Sequence, residues 1–150
     1  MAVQLPPNST GQVIDTQTTV AAKERQVVIP AVGGQFAINN TPVAATQATI
    51  TQAAGAAGVK NVCTSIHGSL CTVGTAQAAV RQLNLRDGTT GAGTILWSKS
   101  FSFGTTTMVS VDISGLYIQG SAATAMTLEF DAAGVAGSFM SVSLVGCTTA

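Results

Sequence analysis

The residues of this chain best suited to chemistry fall into three groups. The first is the run LNLRDGTTGAGTILW, Leu83 to Trp97, which sets three glycines and an Asp-Gly pair between two apolar stretches. Backbone N–H groups of such a run can cradle a phosphate if it follows a strand and opens a helix whose dipole adds to the attraction. A Lys followed by Ser or Thr usually completes the cradle. Here the segment after the glycines, TILWSKSF, is β-branched and aromatic, and no Gly-Lys-Ser/Thr is present. Asp87-Gly88 is itself a turn former, and Gly91 and Gly93 can take the positive φ of a longer hairpin loop. The pattern predicts a hairpin and no nucleotide site.

The second group is Cys63, His67, Cys71 and Cys147, the inventory of a Cys₃His zinc centre. A spacing of four shares one face of a helix. On a strand it separates neighbours by about 13 Å, beyond what one ion with bonds near 2.3 Å can bridge. VCTSIHGSLC reads as extended, so no metal site is expected unless the chain bends sharply at Gly68. Three cysteines without a Cys-x-x-Cys argue for reduced, mostly buried thiols rather than a disulfide framework. His67 reads as a surface or interface histidine.

The third group is acidic. Glu129 and Asp131 share one face of a strand at roughly 7 Å, a geometry open to a glycosidase pair, to calcium ligation or to an ordinary solvated face. His67 is the only histidine, and no Gly-x-Ser-x-Gly elbow is present. The expectation is a protein that is not an enzyme and carries no cofactor. Lys23, Arg25, Lys60, Arg81, Arg86 and Lys99 are too scattered for a nucleic-acid surface.

The elements that position these groups are set by composition and period. A chain of 150 residues is one domain long. Only 8% of residues are charged and the formal net charge is zero, so no field steers nucleic acid or anionic lipid. A surface of Thr, Ser, Gln and Asn suits a protein packed against neighbours. MAVQLPPNST lacks a secretory pattern and no stretch approaches a membrane span, so cytosolic synthesis and no membrane partner are expected.

Turn signals recur every eight to twelve residues from about Val27 onward, and the apolar period is two. Val109, Val111 and Ile113 share one face while Ser110 and Asp112 share the other. Met126, Leu128 and Phe130 point inward with Thr127, Glu129 and Asp131 outward, and Met140, Val142 and Leu144 repeat the pattern. Earlier strands are expected near Val28 and over Gln35–Asn39, Ala44–Ala53, Val59–Leu70, Ala76–Leu85 and Thr94–Phe103. Glycines at 33–34, 55–58, 74, 104, 115, 120 and 134–137 are expected to supply turns. Two glycines make TQAAGAAG a loop rather than a helix. The fold class is therefore all-β: an antiparallel, jelly-roll-like sandwich over residues 31–150, with Trp97, Phe101 or Phe103, and Phe130 in its core.

Residues 1–30 differ. Two prolines, polar alternation and the cluster Lys23-Glu24-Arg25 describe an extended arm, or a floppy tail. As an arm it would reach a partner through Pro6, Pro7, Val13, Ile14, Val20, Lys23 and Arg25.

From about Gly58 to Leu144 the sequence resembles a group of small structural proteins of tailed bacteriophages. The likeness is carried by AGVKNVCTSI from Ala57, by LNLRDGTTGAGTILW, and by DISGLYIQGSAATAMTLEF from Asp112. What the resemblance implies is a virion component, foremost a capsid decoration or cement protein bound to the major capsid protein on the outer shell. A tail or fibre component is the alternative. Assembly as a homo-oligomer, dimer or trimer, is the matching expectation. The arm would then add a strand to an adjacent sheet edge or lie in an intersubunit groove, with avidity summing over many copies.

Overall fold

The computed structural model describes residues 14–18, 24–28, 34–74, 80–102 and 107–149. These form ten strands: β1 (Ile14–Thr18), β2 (Glu24–Val28), β3 (Gln35–Asn40), β4 (Thr49–Gln52), β5 (Lys60–Thr72), β6 (Arg81–Asp87), β7 (Thr94–Phe101), β8 (Thr107–Ala122), β9 (Met126–Phe130) and β10 (Ser138–Thr149). β1 and β2 pair with each other, antiparallel, from Ile14↔Val28 to Thr18↔Glu24. The other eight make two four-stranded sheets, ordered β3-β10-β5-β8 and β4-β9-β6-β7, with every ladder antiparallel. Counted from β3, that order is 1-8-3-6 facing 2-7-4-5. Consecutive strands alternate between the sheets except β6 and β7, which share one sheet as a hairpin, and the chain closes by pairing first with last, which is the jelly-roll winding expected of an all-β sandwich of this length.

Period-two patterning puts one side chain in two between the sheets. Ile66 and Leu70 from β5, Met140, Val142 and Leu144 from β10, and Met126, Leu128 and Phe130 from β9 are all buried. Phe101 packs on Phe130 with ring centroids 5.7 Å apart and a 54° tilt, and Trp97 packs at the margin of the same core. Phe103 lies outside the described residues.

Gly68 does not bend the chain. β5 runs straight through it, and its backbone faces the opposite sheet, where an added Cβ would fall on Leu83 Cδ2 well inside van der Waals contact. The glycine is a socket for Leu83, not a hinge.

Several boundaries differ from those the sequence suggests. β4 is only four residues, because 43–46 form a turn with Ala45 at φ 59°. β6 starts at Arg81, with 75–79 outside the described residues. Gly115 and Gly120 are not turns: both lie inside the sixteen-residue β8. The register between β5 and β8 slips between Cys63 and Ser65 and again between Lys60 and Val62. β8 therefore carries extra residues as bulges, and Gly115 takes φ +72° at the first of them. Gly120 is buried, with the Asp87 carboxylate and Met126 directly above its Cα.

Candidate functional site

The glycine run is a hairpin. β6 and β7 pair from Arg81↔Phe101 to Asp87↔Thr94, with one bulge at Leu85/Arg86, and Gly91 and Gly93 adopt φ +70° and +83°. The loop nevertheless does hold an anion, one supplied by the chain itself. Gly91 N–H donates to both carboxylate oxygens of Glu129 at 3.1 Å, and Arg86 Nε donates to Oε1 at 2.5 Å. Arg86 Nη1 also donates to the Gly93 carbonyl at 3.4 Å. Thr90 Oγ1 meets Thr49 Oγ1 at 3.1 Å, and Thr127 Oγ1 donates to the Gly88 carbonyl at 2.7 Å. The loop thus folds as a strap over the outer face of β4 and β9.

This strap corrects the reading of β9. Thr127 and Glu129 do point away from the core, yet Glu129 is only 1% exposed and Thr127 is fully buried. A charge so buried persists only when paired and hydrogen-bonded, and Arg86 and Gly91 meet that requirement. Asp131 stays exposed and accepts a hydrogen bond from the Gln82 backbone. The two acids therefore serve separate structural partners rather than one substrate or ion. Asp87 does similar work at the loop's base: its carboxylate accepts the Ser121 N–H at 2.9 and 3.0 Å and the Ser121 hydroxyl at 2.6 Å, tying one sheet to the other.

Cys63, His67 and Cys71 all lie on β5, which is extended across the whole interval. Cys63 faces inward and is fully buried, while Cys71 and Cys147 are half-buried. Burial pushes the Cys63 thiol up from about 9 to about 11, which keeps it protonated and unreactive at neutral pH. Among the described residues, no group of three His, Cys, Asp or Glu converges as metal ligands would. His67 Nδ1 sits 3.7 Å from Asp112 Oδ2 on the outer face of its sheet, with the two side chains 39% and 77% exposed. A pair that solvated contributes little to stability.

Two surface features remain. A shallow cleft of about 540 Å³ opens where β3 meets β10, lined by Gln35, Phe36, Ala37, Thr64, Val145, Gly146 and Cys147. Gly34, which precedes Gln35 at its rim, accepts the Thr148 N–H at 3.0 Å. β8 ends its sheet, hydrogen-bonded to β5 on one side only among the described strands.

No protein-family model matches the chain, and no curated protein matches it. A solved chain from work described as "Bacillus endospore appendages form a novel family of disulfide-linked pili" aligns over 96% of this chain and 97% of its own. The identity is 17% and the TM-score 0.29. A likeness at that level supports no conclusion about fold or function.

Of the residues expected to meet a partner, Ile14 lies in β1 and Arg25 in β2, where they pair with Val28 and Gln17. Pro6, Pro7, Val13, Val20 and Lys23 lie outside the described residues. The Arg86–Glu129 pair escaped sequence reading because the strand order that makes β6 and β9 neighbours is not written in either segment. The signal available was weak: two opposite charges on the outward-facing positions of two separate strands.

Proposed function

We propose that this protein is a structural component of a tailed-bacteriophage virion, a decoration protein that binds the outer capsid surface and bridges neighbouring capsomers. The single observation that carries the reading is the outer edge of β8, which no described strand pairs. Soluble proteins blunt their sheet edges with lysines, prolines or bulges. Over 107–114, before the first bulge, β8 carries one charge, Asp112, and no lysine or proline. Such an edge is suited to accept a strand from a partner.

The low charge of the chain and the phage-like sequence rhythm point the same way, since interface centres are depleted in charge. On this reading the arm over residues 1–30 supplies the reach from one subunit to the next, and the sandwich supplies the rigid body.

The test is particle binding. Protein lacking residues 1–30 is expected to keep the β-sheet circular dichroism of the full chain and to lose co-sedimentation with capsids that lack the protein. Undiminished co-sedimentation refutes the arm's role. Quantitative mass spectrometry of purified particles then checks the location. Hundreds of copies fit a shell protein, about a dozen a tail or fibre, and none refutes a virion role.

A further inference from the structure

We propose that the outer face of the β3-β10-β5-β8 sheet, which no described loop covers, is a self-association surface whose occupant is the same face of a second copy of this chain. The two sheets of the sandwich are dressed differently. On β4-β9-β6-β7 the outward side chains Thr127 and Glu129 are buried beneath the 88–93 strap, and the strands are only four to eight residues long. On the other sheet no described loop crosses the outer face, and three of its strands run twelve, thirteen and sixteen residues.

Register fixes what that face presents. Phe139, Cys71 and Met108 stand opposite one another on β10, β5 and β8, an apolar row in which Phe139 is 49% and Met108 72% exposed. The next row is Ser141, Ser69 and Ser110, small side chains with Ser69 and Ser141 hydrogen-bonded at 2.7 Å. Ser143, His67 and Asp112 follow, and at the far end Tyr117 and Val145 are again exposed. The face is thus apolar at both ends, with a low serine row and the polar His67–Asp112 pair between them, and the serine row lets a second sheet approach toward the roughly 10 Å spacing of packed sheets.

Charge and area both favour a second copy over an unrelated partner. Among the described rows the His67 imidazole and the Asp112 carboxylate lie side by side, a hydrogen-bonding ring and an acceptor. A two-fold stack can set each imidazole against the partner's carboxylate, the reciprocal arrangement isologous contacts have. Three strands about 40 Å long and β3 at about 20 Å, spaced about 4.8 Å apart, give a footprint of roughly 700 Å². Standard stable interfaces use about 600–1,000 Å² per partner, a range this face alone reaches. The strapped sheet, with its shorter strands, falls well short.

The test is sedimentation velocity on the full chain from about 1 to about 100 µM, a range that brackets the affinity of standard-size interfaces of modest strength. It compares wild type, the double variant Met108→Glu/Phe139→Glu, and Lys99→Glu on the opposite sheet as control. Both substituted side chains are exposed, so the sandwich is expected to melt as wild type by circular dichroism. The expected result is a wild-type dimer, a Kd raised at least about 100-fold in the double variant, since four buried unpaired charges oppose the two-fold contact, and no change in the control. Labelling of the Cys71 thiol is expected to slow as wild type is concentrated across the dimerisation range. A monomer throughout that range, an oligomer indifferent to the two glutamates, or a concentration-independent labelling rate each overturns the proposal. None of these outcomes bears on whether the arm binds capsids.

Discussion

Replacing Glu129 with Gln tests whether the strap is held by charge or merely by shape. The substitution keeps the volume and one carbonyl oxygen but removes the negative charge that accepts from Arg86 Nε and Gly91 N–H. Its new NH₂ must face one of those donors. Each charge-assisted hydrogen bond contributes about 1.5–3 kcal/mol, and breaking a buried ion pair from one side costs about 3–5 kcal/mol. Arg86 is 17% exposed and recovers some hydration when its partner is lost, which lowers the estimate to about 2–4 kcal/mol. For a domain of this size that corresponds to a fall in Tm of roughly 5–15 °C. Urea unfolding followed through Trp97, the chain's one tryptophan and packed at the core margin, reads it directly. A cycle with Arg86→Met supplies the coupling, and the double variant Arg86→Met/Glu129→Leu is expected to regain at least half of the loss, since no charge is then left buried alone. A Glu129→Gln variant within about 0.5 kcal/mol of wild type would refute the buried-pair account.

Other expectations rest on single contacts. Gly68→Ala forces a methyl into Leu83 and is expected to cost about 1–3 kcal/mol by urea unfolding, while Leu83→Ala in the same background relieves part of the strain. Losses that simply add would count against the socket. For Cys63 the folded thiol lies above its unfolded value, so its contribution is full below about pH 9 and fades as pH rises toward 11. The stability decline over that window is expected to be shallower in Cys63→Ala, and equal slopes would remove Cys63 as its cause. At about pH 8, just below the ordinary thiol range, a maleimide is expected to label Cys71 and Cys147 in the native protein and Cys63 only after denaturation, a pattern peptide mapping by mass spectrometry resolves.

What the sequence revealed and what it hid divide along a physical line. Alternation in 109–113, 126–130 and 140–144 names the inward side chains because the pleat alone decides them. The hairpin at Asp87-Gly88 was legible for a similar reason, since turn chemistry is local. Burial of outward residues is not local. Glu129 looks solvated until Gly91 and its loop, 38 residues earlier, fold across it, and nothing in Met126–Phe130 encodes that loop. Gly115 and Gly120 misled because a glycine in a bulge and a glycine in a turn share the same backbone freedom, and only the partner strand distinguishes them. The surface proposed for a second copy is intermediate. Its alternation is visible in each strand, but the row Phe139–Cys71–Met108 exists only once three distant segments are set in register.

The placement of β10 between β3 and β5 has a consequence for how this chain is made. β3 forms no ladder with any earlier described strand, and its edge is completed only by residues 142–147. During synthesis at about 5–20 residues per second, roughly a hundred residues must follow β3 before its neighbour emerges, so its apolar face waits several seconds unpaired. Most pairings join segments distant in sequence, the regime in which folding takes milliseconds to seconds rather than microseconds. The emerging chain therefore holds open sheet edges in the company of sister chains before the sandwich can close. Exposed edges and apolar faces of that kind make the interval the stage at which this chain is most open to aggregation.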